Sequence, residues 1–292
     1  MADVRVNRKF KDSLFRMIFS EKEALLELYN AINGSDHQNP EDLTITTIDD
    51  VLYLGMKNDV SFLIGKQMNL YEAQSSLNPN MPLRGLFYFS RLYQAYIKER
   101  QLDPYSQRLL PLPAPKFVVF YNGTKEQPDR VTLRLSDAFS PEAGVPCLEC
   151  TATMLNINCG HNEELMKGCR KLYEYAYLVD RVRCCLNQGL RLEAAINQAV
   201  EDCIKNDILK GFLLKHREEV REMILSEYDQ ELHIRSEKAI SFEEGEKAGQ
   251  ERGEERINSL YTQLAKAGRT EDMVRAATDP AYQKQLFKEL GL

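Results

Sequence analysis

The stretch DVSFLIGKQMNLYEAQ, residues 59–74, decides how this chain folds. Val60–Ile64 and Met68–Tyr71 are short runs of largely apolar residues, separated by Gly65-Lys66. Two such runs joined by a two-residue turn read as a β-hairpin. Glycine in the first turn position suits type II′, whose twist matches that of the flanking strands. Counting outward, Ile64 pairs with Gln67, Phe62 with Asn69 and Val60 with Tyr71, so Asp59 falls opposite Glu72. Opposed residues bring their Cβ atoms to about 4.5–5.5 Å. Gln74 shares the face of Glu72, because side chains alternate with period two.

Two opposed carboxylates repel unless something compensates. A shared divalent cation would, and hard oxygen ligands suit Mg²⁺ or Mn²⁺. Such an ion generates a hydroxide nucleophile and stabilises charge on phosphorus. Gln74 would then position the attacking water or a phosphate oxygen, although a neutral amide does not stabilise negative charge as a lysine does. The plainer alternative is a solvent-facing hairpin end carrying two ordinary acids.

Working outward, residues 12–32 carry Leu14, Phe15, Ile18, Phe19, Leu25, Leu26, Leu28 and Ile32 near helical spacing, with Gly34 as a stop. Leu43–Leu54 reads as a strand through its run Thr44 to Ile48. Leu83–Lys98 is helical and rich in aromatics, among them Phe87, Tyr88, Phe89, Tyr93 and Tyr96. After a proline-punctuated loop, Lys116–Tyr121 is a nearly all-apolar strand of the kind buried in a sheet centre. Asn122-Gly123 marks a turn, and Val131–Leu135 and Leu148–Ile157 are the remaining strands.

From about residue 162 the pattern is helical, with segments His161–Val182, Leu190–Ile204 and Asp207–Ser226. Ser236–Arg256 is dense in Glu, Lys and Arg, with Gly245, Gly249 and Gly253 on one helical stripe. At about 0.8–1.0 kcal/mol lost per glycine relative to alanine, this stretch is expected to be a marginal, solvated helix or linker. Residues 257–292 read as two short amphipathic helices, divided near Gly268 and Asp279-Pro280. The expected fold class is α/β, a mixed sheet flanked by helices, with a C-terminal helical extension. The expected organisation is a domain over 1–185, a helical extension over 186–235, a charged glycine-containing segment over 236–267 and a helical module over 268–292.

Composition sets bounds. The 292 residues include 38 Lys and Arg against 44 Asp and Glu, a net charge of -6. Nucleic-acid binding through a broad basic surface is therefore disfavoured, while a local basic groove beside an acidic site is compatible with it. The N-terminal residues show no apolar h-region of a secretion signal, and no run approaches the roughly 18 apolar residues of a membrane span. Seven cysteines, an odd number with Cys184 and Cys185 adjacent, suggest reduced thiols. These features imply a cytoplasmic protein without membrane association.

Asp59, then Glu72-Ala73-Gln74, set between an N-terminal helix and an aromatic-rich helix, resembles the PD-(D/E)XK nuclease superfamily, whose core runs αβββαβ. More narrowly, the chain resembles the recombination-promoting nucleases of the Rpn type, described as PD-(D/E)XK family transposases. The matching stretches are Lys11 to Phe15, Asn58-Asp59, Tyr71 to Ser76, Met81 to Arg84 with Tyr88, and Leu155 to Asn162, covering about the first 180 residues. The resemblance implies a restriction-endonuclease-like core and a Mg²⁺- or Mn²⁺-dependent DNA endonuclease. In it Asp59 and Glu72 would be metal ligands, with the Ala73 carbonyl a third. Gln74 stands where the superfamily usually has lysine. Asp12 would be an auxiliary acid, or a helix N-cap. Arg84 would bind the scissile phosphate or pair with a core acid, and Tyr88 shares its helix face or belongs to the core. A catalytically inactive nuclease fold kept as an interaction or oligomerisation module is the rival reading, motivated by Gln74 and the acidic net charge. The C-terminal helical region would then serve homo-oligomer assembly under either reading.

Cys147, Cys150, Cys159 and His161 have the look of a zinc site. They are expected in a strand, where cysteine is an ordinary buried apolar residue. The basic residues from Arg181 to Arg221 alternate with acids and read as mixed solvated faces.

Overall fold

The hairpin forms in the register that its turn dictates. The computed structural model describes residues 14–46, 59–140, 142 and 144–292. Helices α1 (Leu14–Phe19) and α2 (Lys22–Asn33) precede three antiparallel strands, β1 (Leu43–Ile45), β2 (Val60–Ile64) and β3 (Gln67–Gln74). Ile64 pairs with Gln67, Phe62 with Asn69 and Val60 with Tyr71. Gly65 has φ of 55°, and Lys66 does not share its positive φ, as a type II′ turn requires. Helix α3 (Met81–Glu99) carries the chain to β4 (Ala114–Tyr121), which lies parallel to β3. A parallel pair needs such a crossover, and Pro82 in the first turn of α3 suits its start.

Strand β5 (Arg130–Arg134) pairs antiparallel with β6 (Thr151–Asn156), and β6 lies parallel to β4. The mixed sheet has six strands in the order β1-β2-β3-β4-β6-β5. Interior strand β4 is buried from Phe117 to Tyr121, as its unbroken apolar run suggests. Helices α4 (Glu163–Gly168), α5 (Arg170–Asn187), α6 (Leu192–Lys205), α7 (Lys210–Lys266), α8 (Thr270–Thr278) and α9 (Pro280–Glu289) complete the chain. The fold is α/β, a mixed sheet flanked by helices, with a C-terminal helical region.

Alternation assigns the two sheet faces. Met68, Leu70, Phe117, Val119 and Tyr121 pack with Met81, Tyr88, Phe89 and Leu92 of α3. On the other face the Phe15 ring of α1 lies 5.1 Å from Phe120 and 5.6 Å from Tyr175 of α5. Tyr29 of α2 meets Phe62 at 6.0 Å between ring centroids. A Cβ at Gly85 would sit 2.6 Å from the Phe117 ring, so only glycine lets α3 approach the sheet this closely.

Two expected helices are each divided in two. The segment over 12–32 breaks at Ser20-Glu21, where the Ser20 hydroxyl donates to the Met17 carbonyl and Glu21 is extended. Serine competes with the helix ladder for backbone partners in this way. The helix expected over His161–Val182 breaks at buried Cys169, whose backbone is extended, and α5 restarts with the Arg170 N–H donating to Glu27 of α2 at 2.7 Å. The last strand is shorter than Leu148–Ile157, and α7 starts at Lys210 because Asp207 and Leu209 take positive φ. The strand expected over Leu43–Leu54 is present at Leu43–Ile45; its residues from Thr47 on lie outside the described residues.

Contacts divide the chain into Met1–Glu227 and Tyr228–Leu292. In the first unit α6 packs on α5, with Arg181 donating twice to Asp202, at 2.8 and 2.6 Å. In the second, Leu260 and Leu264 of α7 form a small core with Ala276 of α8 and Leu286 of α9. Asp279 caps α9 by accepting from the N–H groups of Ala281 and Tyr282, both at 3.0 Å. The glycine-bearing stretch 236–256 is helical within α7. Among the described residues no helix is long and apolar enough to cross a membrane.

Candidate metal centre

The site grows from the open end of the hairpin. Pairing of Val60 with Tyr71 carries forward to place Asp59 beside Glu72, and the Asp59 Oδ2 atom accepts from the Ala73 N–H at 2.8 Å. The Gln74 carbonyl accepts from the Asn122 N–H at 3.1 Å, so Gln74 turns its backbone polar groups toward β4. Successive residues of a strand alternate in this respect. Ala73 therefore directs its N–H and carbonyl the other way, toward Asp59.

Glu72 is the unusual member. It is only 1% exposed, on the face that α3 covers. Its Oε2 accepts from Arg84 Nη2 at 2.9 Å, while its Oε1 makes no hydrogen bond of regular geometry. The Asp59 backbone N–H approaches closely enough to favour the charged form slightly, a smaller influence than the Asp59 carboxylate or Arg84. Burial, then the charge of Asp59, push the Glu72 carboxyl up to about 8, against a lowering by Arg84. A buried acceptor left unpaired costs about 1–3 kcal/mol. This end of the sheet therefore holds an acid that its protein neighbours satisfy only in part.

Helix α3 supplies the cover. Arg84 Nη2 also donates to the Tyr88 hydroxyl at 3.1 Å, and Nη1 lies 3.4 Å from the Met81 sulfur. Tyr88 is buried in the core beneath, where burial and then Glu72 raise its phenol pKa. Of the two readings of Arg84, pairing with a core acid is the one observed, and Tyr88 is both core and hydrogen-bond partner. Gly85 was not anticipated as part of the site, yet by admitting α3 to the sheet it sets how far Arg84 stands from Glu72. A lone glycine directly after Arg84 in an aromatic-rich helix is the sequence signal that could have pointed to it.

The structure thus brings together Asp59, Glu72, Ala73, Arg84 and Tyr88, with half-buried Gln74 at the strand end. Asp12, like Lys11, Ser13 and Asn58, lies outside the described residues. Two acids on adjoining chain segments, one with a buried oxygen lacking a regular hydrogen bond, plus the Ala73 carbonyl on the Asp59 side of β3, are hard oxygen donors of the kind that suit Mg²⁺ or Mn²⁺. Among the described residues no group of three or more His, Cys, Asp or Glu side chains is gathered that could hold a metal. The cysteines considered for zinc do not sit in a strand. Cys147 and Cys150 precede β6 and Cys159 and His161 follow it, and His161 Nδ1 instead lies 2.6 Å from Asp129 Oδ1.

Comparison with protein-family models, characterised proteins and solved structures gives no match.

The stretch 155–162 has a different task from the acids. Asn158 Nδ2 donates to the Gly123 carbonyl at 3.1 Å and to Asn156 Oδ1 at 2.8 Å, and Asn162 Nδ2 donates to the Asn156 carbonyl at 2.9 Å. These bonds tie the ends of β4 and β6 together, next to the end of β3 that carries Gln74.

Proposed function

We propose that this protein is a divalent-metal-dependent DNA endonuclease with a PD-(D/E)XK-type core, of the recombination-promoting, transposase-like kind. The observation that carries this reading is Glu72, a fully buried carboxyl group with one oxygen lacking a regular hydrogen bond, standing near the Asp59 carboxylate. The chain order of helix, three strands, helix and strand, from α2 to β4, supports the αβββαβ reading.

On this reading Asp59, Glu72 and the Ala73 carbonyl hold the cation. When bound, Mg²⁺ or Mn²⁺ supplies an activated water and charge stabilisation at phosphorus. Gln74 orients that water or a phosphate oxygen through its amide, and Asp12 would assist as an acid. Arg84, with its side chain 26% exposed, would lend its positive charge to a phosphate oxygen of DNA. The C-terminal helices serve homo-oligomer assembly, and the odd cysteine count, with Cys184 beside Cys185, favours reduced thiols in a cytoplasmic setting.

A second reading rests on the Arg84–Glu72 pair, in which a protein side chain takes the place of a metal as the partner of Glu72. With Gln74 in place of lysine, it describes an inactive nuclease fold used as an interaction or oligomerisation module. Plasmid nicking by the purified chain with Mg²⁺, beside Asp59→Ala and Glu72→Ala, separates the two. The enzyme reading expects nicking that both substitutions abolish; nicking absent, or equal in the variants, rejects it.

A further inference from the structure

Resting on the cation reading above, we propose that Arg84 and Tyr88 form a positioning pair that fixes the orientation in which Glu72 presents its second oxygen to the metal. Arg84 Nη2 carries two N–H bonds, and both have acceptors: Glu72 Oε2 at 2.9 Å and the Tyr88 hydroxyl at 3.1 Å. One nitrogen shared between two fixed acceptors holds the guanidinium in a single orientation. Tyr88 is fixed in turn, because its ring is buried in the α3–sheet core one helical turn from Arg84. Glu72, being 1% exposed, has no solvent to swing into. With Oε2 held by Arg84, Oε1 is the oxygen left over, and it is the buried atom without a regular hydrogen bond.

The same contacts allow an opposite role, in which Arg84 is a counter-ion competing with the metal for Glu72. The two roles give opposite signs. A competitor, once removed, leaves metal binding tighter, because a positive charge beside the cation is gone. A positioning residue, once removed, leaves it weaker; groups that orient metal ligands typically contribute about 10- to 100-fold in metal affinity. Buried geometry favours positioning: the oxygen that Arg84 takes is not the one left open.

The test is Mn²⁺ titration of the full chain, read as loss of the free-ion signal in electron paramagnetic resonance, with thermal melts confirming that each variant is folded. Positioning expects Arg84→Gln to weaken Mn²⁺ binding about 10- to 100-fold. Arg84→Lys keeps the charge but loses the shared geometry, and is expected to weaken it about tenfold. Tyr88→Phe removes one hydroxyl with no change of charge, and is expected to weaken it about fivefold. Tighter binding in Arg84→Gln, or unchanged binding in both Arg84→Lys and Tyr88→Phe, overturns the proposal. Asp59→Asn and Glu72→Gln keep the underlying reading separate. If these bind Mn²⁺ as the parent chain does, there is no cation site and the proposal falls with it. If they lose binding while the Arg84 and Tyr88 variants keep it, only the positioning role fails.

Discussion

Replacing Glu72 by glutamine should make the metal-free protein more stable at neutral and alkaline pH, and the size of the gain follows from where the carboxyl sits. Burial and the neighbouring Asp59 raise its pKa from 4.5 to about 8. Below pH 4.5 the group is protonated in both folded and unfolded chains. Between pH 4.5 and 8 the unfolded chain releases this proton while the folded chain keeps it. The folded state then binds more protons, so stability falls as pH rises through this window. At 1.36 kcal/mol per tenfold change in proton affinity, the full displacement is worth about 5 kcal/mol as a ceiling. A glutamine has nothing to titrate, so the variant lacks this slope. For a domain of this size each kcal/mol moves the melting temperature by about 2–4 °C. Melts of both proteins from pH 5 to 9 in chelator should therefore diverge, with Glu72→Gln progressively ahead. Added Mg²⁺ should flatten the parent's slope, since a cation at a hundredfold excess over its Kd adds about 2.7 kcal/mol, and should leave the variant unchanged. Parallel curves in chelator would refute the placement of a strained acid at this position.

Three further outcomes follow from the packing. Gly85→Ala drives a methyl group to 2.6 Å from the Phe117 ring, and should cost about 1–3 kcal/mol in urea unfolding despite the better helix propensity of alanine. Asp202→Asn removes the charged acceptor of Arg181 between α5 and α6, with an expected loss of about 1 kcal/mol. Burial raises the Asp202 pKa, but Arg181, Gln198 and Lys205 bring it below its ordinary value overall, so that contribution is present above the ordinary carboxylate range and fades on acidification, and the loss should shrink in acidic melts. Asp279→Ala deletes the cap of α9 and should cost about 1 kcal/mol, seen as earlier loss of helical circular dichroism on heating.

The hairpin was legible because a two-residue turn leaves one register, and that register alone sets Asp59 against Glu72. The buried strand Lys116–Tyr121 was legible for a similar reason, since an unbroken apolar run has a single suitable place in a sheet. What Arg84 does was not legible. Its partner depends on how closely α3 lies on the sheet, and that distance is set by the absence of a side chain at Gly85 opposite Phe117. The breaks at Ser20 and Cys169 were hidden for another reason. Hydrophobic spacing runs through both, and the interruption comes from one hydroxyl and from a long-range carboxylate cap. The asparagines of 155–162 could be picked out as a group, but their partners on Gly123 and Gln127 belong to other loops.

The cap that Glu27 places on α5 joins positions 143 residues apart, and Phe15 reaches Tyr175 over a similar span. A ribosome delivers the chain from its first residue, so the sheet is synthesised well before the helix that α1 and α2 pack against. Until α5 has emerged, the Phe62, Tyr71 and Phe120 side of the sheet lacks the part of its cover that α5 supplies. Contacts this distant in sequence slow folding and expose apolar surface meanwhile. A nascent chain stopped near residue 160 should therefore be protease-sensitive and prone to aggregate, and one extended past Asn187 should not.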